Sequence, residues 1–432
     1  MSKLIDGLNL SGKDFEEFDK ESTDLAKATK LVTEKGGDVI FLSLCRIPEL
    51  QEEGKLSFFI LTPETLEGVQ NGEHLKVGRV AINAFGEELA NEMAATTGLC
   101  AIIRDEKYLI SDIALPTMTL RSGVKGDVTI HRQNLIRDMH LADGIFSKPK
   151  DNILFVYREE EVAEGVFAKK IFATMSKAYT YIPQTIVGDI AKTIMDEKTL
   201  GKASVREWEV NHLFTSLNLA FREAGEDISL AYKLPRECIP GVRISTSDVG
   251  KASVTVQGIV YAEGSYLITD EIEHKHAGEI SPKEILNLAK KEIFDKVRLL
   301  PETLGRLIGR SVADYASVNL ATEEGREKNL LEMQDCITLI MRDCFKGTLP
   351  QKRQDALLEC LFSEVMSDIP YTLYDVASTF LSIPLRIEGD IDRKTLDDVR
   401  KACARVPYYL DEEYEKRKAK KRKGAAIALR PE

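Results

Sequence analysis

Two histidines in the segment EIEHKHAGE have a spacing that can bind a metal ion. His274 and His276 are two residues apart, and alternate residues of a β-strand project from the same face. Imidazole nitrogens are common metal ligands, and a third ligand would have to come from elsewhere, with His212 and Asp270 as the candidates. The alternative is an exposed, charged strand end before a turn at Gly278.

The stretch PGVRISTSDVGKASVTVQG, residues 240–258, looks at first like the end of a phosphate-binding loop. Such a loop needs Gly-x-x-x-x-Gly-Lys-Ser/Thr between a strand and a helix. Gly250 and Lys251 are present, but Ser245 replaces the first glycine and Ala252 follows the lysine. The residues after it alternate with period two, which predicts a strand and not a helix. We therefore interpret the stretch as a polar turn between strands and predict no cofactor.

The clearest interaction feature is a basic run near the C-terminus. The predicted nucleic-acid contacts are Lys416, Arg417, Lys418, Lys420, Lys421, Arg422 and Lys423. Because the whole chain has a formal charge of −11, the rest of it is acidic and repels phosphate backbones. The run predicts nonspecific, salt-sensitive binding to phosphates. The alternative is a solubilising extension of the last helix, partly balanced by the acidic segment DEEYE just before it.

Hydrolytic signatures are missing from the sequence. It contains no Gly-x-Ser-x-Gly elbow, no His-Glu-x-x-His motif and no cysteine in a recognisable nucleophile context. Carboxylates are abundant, but 70 acidic residues produce close pairs by chance. The sequence therefore favours a non-enzymatic protein over an enzyme.

Length and composition indicate a folded protein of several domains. A chain of 432 residues can hold two or three domains of ~100–200 residues, and 43% apolar with 30% charged residues is typical of globular proteins. Seven scattered cysteines without a Cys-x-x-Cys pair indicate reduced thiols. The start has no signal-peptide pattern and no run of ~18 apolar residues occurs, so we predict a cytoplasmic protein that is not inserted in a membrane.

Hydrophobic periodicity divides the chain into four parts. Residues 1–120 are predicted to form an N-terminal α+β unit, residues 121–280 a β-rich central domain, residues 281–410 a helical region and residues 411–432 a charged, disordered tail. The predicted fold class is α+β, with a central, mostly antiparallel sheet, flanking helices and an α-helical C-terminal region.

Three predictions within these parts are specific enough to test. A helix is predicted over residues 13–37, and a hairpin over CAIIRDEKYLISDIAL. About five strands are predicted for the central domain, including NILFVYRE and VFAKKIFATMS. The helical region is predicted to begin with Ser281 as N-cap and Pro282 at the first helical position.

Three segments together resemble a phage- and plasmid-associated family of unknown function, the phage/plasmid-like proteins. The first segment has an arginine-bearing strand, a hairpin and a Ser-x-x-Tyr segment: NILFVYREEEVAEGVFAKKIFATMSKAYTYIP. The second has a Ser-Asp-x-Gly block before a strand: IPGVRISTSDVGKASVTVQGIVY. The third is TLYDVASTF. The similarity spans roughly residues 125–385. The chain has Ala178-Tyr179 where the family usually shows an Arg-Tyr pair, and AEGSYLITDEIEHKH replaces an expected cysteine-bearing block.

The resemblance implies a gene of a mobile element in a bacterial host, near replication and recombination genes, without an established activity. The leading hypothesis is a phage- or plasmid-encoded, non-enzymatic accessory of DNA metabolism that binds or anneals single-stranded DNA as a homo-oligomer. The basic run would contact the phosphates, and aromatic residues of the middle segments could stack on the bases. The alternative is that these aromatic residues lie in the core: Phe155, Tyr157, Tyr179, Tyr181 and Trp208.

Two other hypotheses stay open at this point. One is a structural or self-assembling phage protein, and the other is a metal-dependent enzyme that uses His274 and His276. A basic protein is a further candidate partner, because it would be attracted to the acidic body of the chain.

Overall fold

The computed structural model of the chain describes residues 2–4, 12–50, 52–124, 134–250, 252–319, 321–367 and 372–428. For residues 2–4, 12–14, 365–367 and 421–428 it describes the backbone alone. The strands are β1 (Ser2–Leu4), β2 (Lys30–Lys35), β3 (Ile40–Cys45), β4 (Lys55–Leu61), β5 (Val77–Ala81), β6 (Leu99–Ile103), β7 (Glu106–Ile110), β8 (Asn152–Ala163), β9 (Val166–Ser176), β10 (Ser204–Val210), β11 (Thr215–Ala220), β12 (Ile239–Thr246), β13 (Val254–Ala262) and β14 (Ser265–His274).

Helices precede, connect and follow these strands. They are α1 (Gly12–Ala28), α2 (Pro63–Gln70), α3 (Ile82–Phe85), α4 (Glu87–Ala95), α5 (Leu115–Ser122), α6 (Leu135–Phe146), α7 (Ile186–Met195), α8 (Arg222–Tyr232), α9 (Pro282–Glu292), α10 (Lys296–Ile308), α11 (Val312–Ala316), α12 (Glu323–Cys344), α13 (Gln351–Ser367), α14 (Leu373–Leu381), α15 (Ile383–Ile387) and α16 (Arg393–Ala428). The fold class is α+β with mostly antiparallel sheets and a helical C-terminal region, so this prediction is confirmed.

The first sheet has eight strands in the order β2-β8-β9-β7-β6-β3-β4-β5. Its pairings are antiparallel except that of β7 with β9. The predicted hairpin is β6 and β7, and it turns at Arg104 and Asp105, which both have positive φ as a type I′ turn requires. The predicted helix over residues 13–37 ends early: α1 stops at Ala28, because the following residues pair as β2 with β8.

The second sheet has six antiparallel strands in the order β1-β10-β11-β12-β13-β14. Its inner face is apolar and forms one core with the C-terminal helices, as at Ile244 and Leu304, which are fully buried. Its opposite face, which α16 covers, carries a polar row, one residue from each of five neighbouring strands, all in register. We call it the cross-sheet row: Glu207, Asn218, Arg243, Gln257 and Glu271.

The boundary predicted at residue 120 falls inside the first sheet. The segments NILFVYRE and VFAKKIFATMS were expected in the central sheet, but they are β8 and β9 of the first sheet, where β8 pairs with β2 and β9 with β7. The second sheet instead gains β11 and β12, which were not separated from their neighbours in the sequence pattern. The two sheets therefore divide the chain near residue 180, with α1 and β1 as N-terminal contributions to the second body.

The C-terminal region is helical, and it begins as predicted. The Ser281 hydroxyl accepts a hydrogen bond from the backbone N–H of Glu284 at 3.4 Å, and Pro282 is the first residue of α9. The segment expected to be a disordered tail from residue 411 onward differs from the prediction, because α16 continues to Ala428, while residues 429–432 lie outside the described residues. In the part of the chain that the structure describes, no helix is long and apolar enough to cross a membrane.

Candidate functional site

The predicted basic run forms the last described turns of α16. With 3.6 residues per turn, seven cations in eight positions are spread around the whole helix, so no orientation buries them all. Of Lys421, Arg422 and Lys423 the structure describes the helical backbone only, and their side chains lie outside the described residues.

The first two cations of the run are paired with the protein. Lys416 Nζ lies 2.8 Å from the Glu413 carboxylate, and this hydrogen bond raises the pKa of the lysine. The Arg417 guanidinium carbon lies 4.2 Å from the centroid of the Tyr315 ring, and a guanidinium nitrogen is 3.9 Å from a Glu332 carboxylate oxygen. These contacts hold the start of the run against the helical region.

Beyond Arg417, two cations of the run have described side chains. Lys418 and Lys420 are exposed, and neither makes an ion pair with any described side chain. Their charge is therefore available to an external anion. Among the described side chains of the run, Lys418 and Lys420 are therefore the cations without a carboxylate partner.

A small cavity lies where the run leaves the body. It has a volume of about 200 Å³ and is lined by Asp314, Ser317, Tyr414, Arg417 and Lys418. The lining thus combines an aromatic ring, two cations, a hydroxyl and a carboxylate. The Arg310 guanidinium carbon lies 4.5 Å from the centroid of the Tyr414 ring and fixes that ring from outside the cavity.

The two histidines proposed as metal ligands have different surroundings. His274 is the last residue of β14, whereas His276 lies beyond the strand and stacks on Tyr179 with ring centroids 5.0 Å apart. The Nε2 atom of His276 is 3.2 Å from the carbonyl oxygen of Ala252, and burial lowers the pKa of the ring. The premise that both histidines project from one strand is therefore wrong.

The proposed third ligands are occupied elsewhere. Asp270 forms an ion pair with Lys296, and His212 Nδ1 lies 3.0 Å from a guanidinium nitrogen of Arg158. Among the described residues, no group of three His, Cys, Asp or Glu side chains could hold a metal ion. The structure does not assemble the metal site expected from the sequence.

The stretch first compared with a phosphate loop connects the two sheets. After β12, Val249 is fully buried against β8 and β9, where it contacts a cluster that includes Phe172 and Met175. Gly250 has φ +72°, and a Cβ atom there would lie 2.3 Å from the Met175 methyl group. A strand follows and no helix, as predicted, whereas Lys251 lies outside the described residues. The loop docks one sheet onto the other.

A buried ion pair joins the sheets at this loop. Arg158 of β8 and Asp248 are at most 1% exposed, and one guanidinium nitrogen donates to both carboxylate oxygens at 3.0 and 2.7 Å. The other donors go to the Thr29 hydroxyl at 2.9 Å and to the ring and carbonyl oxygen of His212 at 3.0 and 3.3 Å. All three guanidinium nitrogens of the arginine thus have protein acceptors, so this group links the two sheets.

His212 extends the network toward the surface. Because its Nδ1 accepts from Arg158, its Nε2 carries the proton and faces a Glu160 carboxylate oxygen at 3.3 Å. Burial, followed by the positive charge of Arg158, lowers the pKa of the ring, which stacks on Phe172. Lys170 completes the chain with a 2.8 Å ion pair to Glu160.

The aromatic residues proposed as a base-stacking surface do not form one. Phe155 and Trp208 are core residues at 0% and 1% exposure, and Tyr157 packs edge-on against Tyr108. The Tyr179 hydroxyl donates to the carbonyl oxygen of Asp248 at 3.2 Å.

Tyr181 is also tied to the junction between the sheets. Burial, with the nearby charge of Asp248, raises the pKa of Tyr181 to about 12. Together with Tyr179, which is stacked on His276, it belongs to the contact between the two bodies. The five aromatic side chains are thus divided between the core and this contact.

The segments that supply this network are recognisable in the sequence, but their contact with one another was not predicted. The arginine-bearing strand, the Ser-x-x-Tyr segment and the Ser-Asp-x-Gly block supply Arg158, Tyr179 and Asp248, which meet in the structure. The sequence carries no clear signal that joins them, because Arg158 is followed by three glutamates and Asp248 lies in the polar segment STSDVGK.

Comparison of the chain with known protein families, with curated proteins and with solved structures finds no match. The similarity to phage/plasmid-like proteins, the homo-oligomer and the basic protein partner therefore stay predictions.

Proposed function

We propose that this chain is a non-enzymatic accessory protein of phage or plasmid DNA metabolism that binds single-stranded nucleic acid through the basic end of α16. The observation that carries the proposal is the exposed part of the run, where Lys418 and Lys420 have no ion-pair partner among the described side chains. The phage or plasmid context comes from the three sequence segments alone.

The length of the run sets the size of the contact. Residues 416–423 span about 12 Å along the helix axis, and the phosphates of a fully stacked strand advance by about 3.4 Å along its axis, so at most about three to four phosphates lie within reach. Binding of this kind releases counterions from the nucleic acid and carries no sequence preference of its own. An otherwise acidic body restricts the contact to this end of the protein.

The proposal is tested by the salt dependence of binding. We compare the full chain with a variant in which the five outer cations become glutamine: Lys418, Lys420, Lys421, Arg422 and Lys423. Binding of a fluorescein-labelled 30-nucleotide single strand of mixed sequence is followed by anisotropy between 25 and 200 mM salt. For single strands each lost phosphate contact reduces the slope of log K against log salt by about 0.7, so with at most about four phosphates in reach the variant loses up to about 2.8.

A matched control carries the same charge change elsewhere. Five exposed lysines without ion pairs to described side chains become glutamine: Lys148, Lys150, Lys202, Lys346 and Lys352. This control is expected to bind with nearly the parent slope, because its lost charges are not on α16. The proposal fails if the parent does not bind at 25 mM salt, or if the two variants lose binding equally.

A further inference from the structure

We propose that the cavity beside the basic run binds one base of the nucleic acid and prefers guanine to thymine; this inference rests on the proposed function. The cavity, of about 200 Å³, lies between α11 and α16. It is smaller than the roughly 300–1,000 Å³ of ordinary small-molecule pockets, so it suits a single planar base better than a larger ligand.

Two planar groups of the lining can stack on a base. Tyr414 supplies an aromatic ring and Arg417 a guanidinium plane. The Arg417 side chain lies over Tyr315, whose ring is buried, and still has 37% of its own surface exposed. Aromatic rings and guanidinium planes are the surfaces on which unpaired bases stack. Arg310 and Lys418 already lie over the Tyr414 ring, at 4.5 and 5.6 Å from its centroid, so the exposed part of the Arg417 guanidinium is the main stacking surface.

The carboxylate in the lining decides which part of a nucleotide enters. Asp314 is exposed and makes no ion pair with any described side chain, although two cations line the same cavity. The carboxylate offsets one of these two cations and weakens the attraction for a phosphate, so we assign the cavity to an uncharged base. The phosphates on either side then lie near Lys418 and Lys420, which are the unpaired cations of the run.

The same carboxylate distinguishes the bases, because it can only accept hydrogen bonds. Guanine presents N1–H and its 2-amino group side by side, one for each oxygen of Asp314. Thymine presents a single N3–H between two carbonyl oxygens, which the carboxylate repels. One bidentate contact of this type is worth about a tenfold difference in affinity. Ser317, at the rim, is a further hydrogen-bonding group.

The test compares three labelled 20-nucleotide strands with the full chain at low salt. One is all thymidine, one alternates thymidine with deoxyguanosine, and in the third deoxyinosine, which lacks the 2-amino group, replaces deoxyguanosine. We expect the parent to bind the guanine strand about tenfold more tightly than the thymine strand, and the inosine strand to lose most of that gain. In Asp314→Asn the ratio of affinities falls to nearly one.

The matched control is Asp227→Asn, which removes an exposed carboxylate on α8, and it retains the tenfold ratio. Circular dichroism verifies that both variants are folded. Equal affinities of the parent for the guanine and thymine strands, or an unchanged ratio in Asp314→Asn, would overturn the inference and leave the proposed function standing. Failure of every strand to bind would remove the proposed function, and the base site with it.

Discussion

Replacing Asp248 with asparagine tests whether the buried ion pair holds the two sheets together. Arg158 belongs to the first sheet and Asp248 to the loop after β12 of the second, and both are at most 1% exposed. Asparagine keeps the shape of the side chain and removes its charge. The guanidinium of Arg158 then stays buried without a counter-ion, which is the costly state of a broken buried pair.

The structure sets the expected loss of stability. Removing one partner of a buried ion pair costs about 3–5 kcal/mol. We expect about 3 kcal/mol for Asp248→Asn, the lower end of that range, because Thr29 and His212 still accept hydrogen bonds from the guanidinium. The double variant Arg158→Met/Asp248→Leu is expected to lose less than the single variant, since it buries no unpaired charge.

Trp208 provides the assay. It is the only tryptophan, it is 1% exposed, and it lies in the second sheet with Phe18 edge-on at 6.1 Å. Urea unfolding is followed by its fluorescence, with far-UV circular dichroism in the same titration because long chains often unfold in more than one step. The loss of stability appears as a lower urea midpoint at an unchanged slope.

A neighbouring ion pair serves as the control. Glu159, on the same strand, pairs with Lys30 at 3.1 Å, and both side chains are nearly half exposed. Glu159→Gln is expected to cost less than about 1 kcal/mol, as exposed pairs do. The reasoning is refuted if Asp248→Asn is no more destabilising than Glu159→Gln.

Two further predictions concern pH and packing. Because the pKa of His212 is lowered, the folded protein binds a proton at this ring less well than the unfolded chain does. The contribution of the neutral ring to the free energy of unfolding is therefore complete above about pH 6.5 and is lost as the pH falls. The variant His212→Asn keeps a side-chain carbonyl that can accept a hydrogen bond from Arg158. Its urea midpoints at pH 5.5 and 7.5 should differ less than those of the parent. An unchanged difference would contradict the role of His212 in the pH dependence of stability. At Gly258 a Cβ atom would lie 2.7 Å from Ile293, so Gly258→Ala should cost about 1–3 kcal/mol in the same titration. At Gly309 a Cβ atom would meet only the Arg306 carbonyl oxygen, at 3.9 Å, so Gly309→Ala stays within about 1 kcal/mol of the parent.

Local signals in the sequence were sufficient for the elements that depend on neighbours in the chain. The β6–β7 hairpin is set by a polar turn between two apolar runs, and Ser281 with Pro282 marks the start of α9. In the sequence of β13, Gly258 is a gap in a face formed by Val254, Val256 and Val260. The reason for the gap, the close approach of α10 and its preceding turn, comes from tertiary packing.

Partners distant in sequence could not be predicted in the same way. Residues 30–35 continue a helical pattern, yet they form β2 because β8, more than a hundred residues later, offers its edge. Likewise Arg158 and Asp248 are 90 residues apart and meet only when the two sheets dock. A buried charge needs a partner, but the pairing of Arg158 with Asp248 could be predicted only from the topology of both sheets.

The anchoring of α16 bears directly on the proposed binding. Asp397 pairs with Arg243 of the cross-sheet row at 2.8 Å, Asp411 with Arg310, and Arg417 lies on Tyr315. These contacts are spread over about 30 Å of helix, so the direction of the basic end is fixed by the fold.

A disordered basic tail would lose conformational entropy on every binding event, and that loss would weaken its affinity. A helix already held by the body loses less, and it places Lys418 and Lys420 at a constant distance from the cavity beside Tyr414. Loosening the anchor therefore has a distinct consequence: a variant that breaks the Asp397–Arg243 pair should weaken binding without changing the number of phosphates contacted, because the cations are still present but no longer preorganised.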